Sequence, residues 1–192
     1  MRLLRAVFLT TLGLVAGCIG PSAPAATSEN FLNATMNGQP FRASFVQAMI
    51  NRDPQTGRSV FGLEAYDKCA NSGTLTAMNL TAVRPDGAPF GVGEYSMARS
   101  FQVPSGPASI TFLEMRAAIW EWDRGANYYY WDAPRAGDGS GSGTVTVTAV
   151  SSTHVEATFS FEAPPRSGNS IGGTRSVTNG SFRAVLRDGA VC

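Results

Sequence analysis

Apolar and polar residues alternate most cleanly over Thr144–Val150, where Val145, Val147 and Ala149 fall on one side and Thr144, Thr146 and Thr148 on the other. A period of two built from β-branched residues predicts a strand. After Ser151-Ser152-Thr153 the alternation resumes, with Val155, Ala157, Phe159 and Phe161 set against His154, Glu156, Thr158, Ser160 and Glu162. The two segments together predict a hairpin with one dry face and one wet face. The same grammar appears nearer the start: Phe31 to Met36 runs into Asn37-Gly38, a tight-turn pair, and Phe41-Arg-Ala-Ser-Phe45 resumes the alternation as a first hairpin.

Further strands are expected over Ser59–Tyr66, Thr74–Val83, Glu94–Ala98, Ser109–Trp122 and Arg175–Leu186. Asp53-Pro54, Pro85-Asp86-Gly87 and Pro164-Pro165 punctuate them, because Pro and Gly stop ladders and set turns. Phe112–Ile119 fits a helix as well as a strand; as a strand it sends Leu113, Met115, Ala117 and Ile119 to the core. No longer segment carries a helical stripe, and no internal repeat is visible. Eight or nine short strands with turn signals between them predict a single antiparallel β-sandwich or open barrel. Gly137–Gly143, rich in Gly and Ser, reads as a flexible loop.

The first seventeen residues follow a different rule. Arg2 and Arg5 precede an apolar run from Ala6 to Ala16, and small residues then lead to Cys18, which is the layout of a secretory signal. The run is shorter than the roughly twenty residues a membrane-spanning helix needs. Leu14-Val15-Ala16-Gly17-Cys18 resembles the lipobox of bacterial lipoproteins. That resemblance implies that the Cys18 thiol receives a diacylglycerol, that the chain is cut before it, and that the new amine takes a further acyl chain, palmitate in kind. Two or three chains are what stable anchoring requires, since one binds a bilayer only marginally. The plainer reading is an ordinary signal peptide with an incidental Cys. In such lipoproteins an Asp after the Cys commonly holds the protein at the inner membrane; Ile19 stands there, which points to the outer membrane.

The expected organisation is therefore a signal peptide over 1–17, a lipidated Cys and flexible linker over 18–28, and an all-β domain over 29–192. Residues 19–28 are mostly small residues and Pro, too little apolar surface to offset the entropy of ordering. Removing Arg2 and Arg5 from the 15 basic residues leaves 13 against 14 acidic ones, so neither nucleic acid nor an anionic surface is implied as a partner. With Cys18 spent on lipid, Cys69 and Cys192 are left in an oxidising compartment, either free or as one bridge. A bridge closing so long a loop contributes about 4–5 kcal/mol in the chain-entropy description.

Three blocks of the domain carry a second resemblance. Phe31–Phe41, Gly143–Thr148 with Thr158–Phe161, and Val177–Phe182 are similar to a family of uncharacterised β-rich bacterial lipoproteins. They cover about a sixth of the domain. Ala157 stands before Thr158-Phe159 where the family pattern has Gly. The resemblance implies a fold and a location and carries no activity.

Chemistry is sparse. His154 is the single histidine, and it shares a strand face with Glu156, a pair that could ligate a metal but has no third ligand near it in sequence. A Ser-His-Asp mechanism would need the same residue, and no Gly-x-Ser-x-Gly elbow is present. Asp138 is the only charge in a Gly/Ser loop that would need several to hold calcium. No cofactor is implied. Paired carboxylates for glycan cleavage stay open, since two of Glu64, Glu94, Glu114, Glu121, Glu156 and Glu162 could converge in space.

The most unusual stretch is Trp120-Glu-Trp122 followed by Tyr128-Tyr-Tyr-Trp131. Strand alternation cannot send all these rings inward. They either cap an open end of the sandwich or present Trp120, Trp122, Tyr129 and Trp131 to an envelope glycan or protein partner. The lead expectation is a membrane-tethered, non-catalytic envelope module; the rival is an envelope glycan hydrolase.

Overall fold

The computed structural model describes residues 30–186 apart from 55, 69–73, 99, 106–107, 124–126, 135–139 and 170. The expected signal peptide, Cys18, Cys69, Cys192 and Asp138 lie outside the described residues. Every regular element among the described ones is a β-strand. In chain order these are β1 (Phe31–Met36), β2 (Gln39–Arg42), β3 (Phe45–Arg52), β4 (Ser59–Tyr66), β5 (Leu75–Val83), β6 (Gly93–Ser96) and β7 (Ser100–Ser105), then β8 (Ala108–Leu113), β9 (Met115–Asp123), β10 (Asn127–Ala133), β11 (Ser142–Val150), β12 (His154–Ala163) and β13 (Arg175–Val185).

Eleven of them make two antiparallel sheets, one of six strands in the order β2-β1-β13-β12-β11-β6 and one of five in the order β10-β9-β5-β4-β3. β7 and β8 form a separate two-stranded ribbon. The sheets do not close into a barrel. The fold is an open β-sandwich with more strands than the eight or nine expected.

The inner faces supply one core. The six-stranded sheet contributes Leu32, Phe41, Val145, Val147, Val155, Phe159, Phe161, Val177 and Phe182, and the five-stranded sheet Val46, Phe61, Leu63, Met78, Leu80, Met115, Ile119 and Trp131. Phe61 bridges the layers, its ring centroid 6.0 Å from that of Phe182 and 4.5 Å from that of Phe90. The hairpin read from Thr144–Glu162 is β11–β12, with Val145 opposite Phe159 and Val147 opposite Ala157.

Two expected strands are cut by the structure. Phe41–Phe45 is a corner: Ala43 N–H donates to Leu32 O in one sheet, while Ser44 N–H donates to Tyr66 O in the other. Phe41 consequently faces the core, and Phe45 stands on the far side of the second sheet. Ser109–Trp122 breaks at Glu114, where β8 leaves the ribbon and β9 takes β5 and β10 as neighbours. The Glu114 carbonyl at this joint accepts from Val83 N–H. Past the joint, Met115, Ala117 and Ile119 face the core, so the ambiguous segment is strand.

β10 lies at the edge of its sheet, and the segment after β12 seals that edge. Arg166 N–H donates to Tyr130 O, Asp132 N–H donates to Pro164 O, and the Asn169 amide pairs with both backbone groups of Tyr130. The Asn side chain substitutes for a missing strand and hides groups that would otherwise invite another chain.

Candidate functional site

The outer face of the five-stranded sheet carries most of the unburied rings, and register explains how they assemble. Phe45, Tyr66, Ala77, Trp120 and Tyr130 stand opposite one another on β3, β4, β5, β9 and β10. Directly opposed side chains sit about 5 Å apart and interact. Ala77 is the small residue in the middle of this line and is completely covered. Its neighbours Tyr66 and Trp120 meet edge to face across it, centroids 5.7 Å apart at 83°. Phe45 extends the line against Tyr66, also at 5.7 Å. A second, shorter line sets Leu75, Trp122 and Tyr128 side by side. Trp122 and Tyr128 stack at 12°, and Tyr128 reaches Tyr130 with centroids 6.4 Å apart. Tyr128 is the most open of these rings, 53% exposed.

On the other flank of the first line runs a polar one: Gln47, Glu64, Asn79, Ala118 and Asp132. Gln47 Nε2 donates to Glu64 Oε2 at 2.7 Å. Gln47 and Asp132 are buried. Arg166 Nε lies 3.8 Å from Asp132, and its guanidinium is 5.9 Å from the centre of the Tyr130 ring. Asn79 Oδ1 is out of contact with solvent and accepts no hydrogen bond, an arrangement that leaves desolvation uncompensated.

Tyr66 joins the two lines, its hydroxyl bonded to Glu64. Burial first, then that hydrogen bond and the carboxylate's charge, push its phenol up to about 12. The folded value exceeds the ordinary one near 10, so the neutral phenol contributes stability fully below pH 10 and loses it as pH rises through 12. Tyr66→Phe should therefore flatten the alkaline fall in melting temperature between about pH 10 and 12. Parallel wild-type and variant curves across that window would show that folding does not raise the Tyr66 phenol.

The four aromatic residues singled out from sequence divide two and two. Trp120 and Trp122 stand on the outer face. Trp131 does not: it is 0% exposed, its Nε1–H donates to Gly173 O at 2.9 Å, and the Arg175 guanidinium sits 4.2 Å from its ring centre. Tyr129 packs against the same core. The reason is register. Tyr130 opposite Trp120 and Tyr128 opposite Trp122 put the even-numbered rings on one side, so Tyr129 and Trp131 accompany Glu121 and Ile119 to the inside. Trp131 is thereby removed from any contact surface. Phe45, Tyr66, Gln47 and Asn79 were not legible as site residues, and Glu64 was legible only as one of six candidate carboxylates, because they lie on three strands whose alignment the sequence does not state.

The remaining polar groups are engaged elsewhere. Glu121 pairs with Arg175 at 2.8 Å inside the sandwich, and Glu156 bonds to Arg183. His154 Nε2 lies 3.6 Å from Glu156 Oε1, so a metal at this pair would have to displace the Arg183 guanidinium. No group of three metal-ligating side chains occurs among the described residues. Ser151 Oγ lies 2.8 Å from His154 Nδ1, but it also accepts from the backbone N–H of Thr153 and His154 and so closes the β11–β12 turn. On the outer faces, Glu64 and Asp132 are three strand spacings apart, about 14 Å. Glu94 and Glu162 are offset by two strands and four positions, roughly 16 Å. Both separations exceed the roughly 5–10 Å over which two carboxyls cleave a glycosidic bond.

Comparison with family models, with curated proteins and with solved structures finds no match for this chain.

Proposed function

We propose that this chain is a membrane-tethered, non-catalytic binding module of the cell envelope. Acyl chains on Cys18 hold it at the bilayer, residues 19–28 act as its tether, and the outer face of the five-stranded sheet is its contact surface. One observation carries the binding role: Trp120, Trp122, Tyr128 and Tyr130 lie together on the solvent side of a sheet whose other side already supplies a complete core. Large amphipathic rings held rigidly at a surface are effective binding anchors, since they bring area with little side-chain entropy to lose.

The anchor and the face are separable by experiment. The full chain expressed in a bacterial host should fractionate with membranes, and Cys18→Ser should appear in the soluble envelope fraction. A Cys18→Ser chain that still sediments with membranes overturns the anchor. For the face, the detergent-solubilised mature protein should capture an envelope component that Trp120→Ala fails to capture. Unchanged capture would remove the binding role from these rings.

A further inference from the structure

Two adjacent lines of chemistry cross the sheet, and the polar one narrows what the aromatic one can hold. Resting on the binding role proposed above, we infer that the ligand is a neutral, linear saccharide chain lying across the strands, packed against Tyr66, Trp120 and Tyr130 with its hydroxyls along the polar line at Glu64.

The dimensions favour a chain. From Tyr66 to Tyr130 the line runs over four strands, three gaps of about 4.8 Å, giving a length of roughly 14 Å. That length suits several sugar rings in sequence rather than one small molecule. A saccharide is itself two-sided: its C–H faces stack on aromatic rings, and its hydroxyls lie at the edges, where the neighbouring polar line begins.

Charge and hydrogen bonding choose among ligands. The polar line offers two amides and two carboxylates and includes no Lys, Arg or His. Arg166 pairs with Asp132 at the far end of the line, so Glu64 is the carboxylate that disfavours a phosphate, sulfate or uronate polymer. The line is rich in acceptors, and Asn79 Oδ1 has no donor of its own; a half-turn of that amide would present it to a hydroxyl above. A protein partner fits less well, because the centre of a protein interface is depleted of charge. Glu64 would be further desolvated there without added donors. Hydroxyls supply such donors at every sugar.

The test uses the mature lipoprotein in detergent micelles, presented to an array of neutral linear oligosaccharides of two to six residues, with uronate and sulfated oligomers beside them. Hits are titrated by tryptophan fluorescence, which Trp120 and Trp122 report from the face itself. The inference expects at least one neutral oligomer to bind, more tightly as it lengthens. Trp120→Ala should weaken it about tenfold, the weight of one lost stacking ring. Glu64→Gln, which keeps the side chain's shape, should weaken it about threefold through the poorer acceptor. Tyr128→Ser, at an exposed position, removes the ring stacked against Tyr130 without touching the core and should weaken binding through that contact ring. Binding only to anionic oligomers, affinity independent of length, or no neutral oligomer bound at all would each overturn the saccharide assignment. If no saccharide binds while Trp120→Ala still abolishes envelope capture, the saccharide is wrong and the binding role survives; if capture is also unchanged, both fall.

Discussion

Replacing Trp131 with Ala should destabilise the domain by about 3–5 kcal/mol, the range for removing a buried Trp from a close-packed core. The ring is fully enclosed, so its loss opens a cavity that the two sheets cannot collapse to fill. Two partners are stranded at the same time. Gly173 O loses the indole N–H that it accepts at 2.9 Å, and Arg175 loses the ring face beneath its guanidinium. Arg175 Nε is already buried without a hydrogen bond, so that charge would depend on its pairing with Glu121 among the described residues. Trp131→Phe keeps much of the ring and forfeits the N–H, and about 1–2 kcal/mol is expected. Tyr128→Ala, 53% exposed, should stay within about 0.5 kcal/mol of wild type. Urea denaturation of the three variants measures this order. A Tyr128→Ala loss exceeding that of Trp131→Ala would mean that the faces of β10 are reversed, and the outer aromatic platform would go with them.

Those two residues also mark how far the sequence could be read. Alternation named the strands that keep one face dry: β11 as far as Val147 and β12 keep apolar and polar residues apart as the pattern selects, but past the β11 bulge Val150, not the expected Ala149, packs against the core. It failed where both faces carry apolar groups. β3 places Val46 and Ala48 in the core and Phe45 and Met49 outside, and β10 places Tyr129 and Trp131 inside and Tyr128 and Tyr130 outside, so neither has a polar side to announce it. Corners were equally silent. Phe41–Phe45 alternates well enough for one strand, yet the backbone hydrogen bonds of Ala43 and Ser44 go to different sheets. The candidate face needed both kinds of information. Its Trp residues stood out in sequence, but its lines cross five strands in the order β3-β4-β5-β9-β10, and the alignment that joins Phe45 to Tyr130 is a property of pairing alone.

The second large effect concerns Phe159 and Gly180, which face each other on β12 and β13. Phe159 is almost fully buried, with Phe161 and Phe182 each 6.2 Å from it between ring centroids. Phe159→Ala should cost about 3–5 kcal/mol. Gly180 is glycine for want of space: a Cβ there would stand 2.5 Å from Phe159 Cδ2 and Cε2, inside any tolerable contact. Just before it the ladder slips register and Asn179 takes a φ of 52°. Gly180→Ala alone should cost about 1–3 kcal/mol, because the ring must leave its rotamer in a core with no spare volume. The two changes relieve each other. With Phe159 truncated, the methyl introduced by Gly180→Ala enters the vacated volume instead of meeting a ring, so the double variant should be more stable than the sum of the single losses predicts by about 1–2 kcal/mol. Four urea melts complete the cycle. Losses that add to within about 0.5 kcal/mol would show two independent sites, and the packing of Phe159 over Gly180 that defines this end of the core would have to be abandoned.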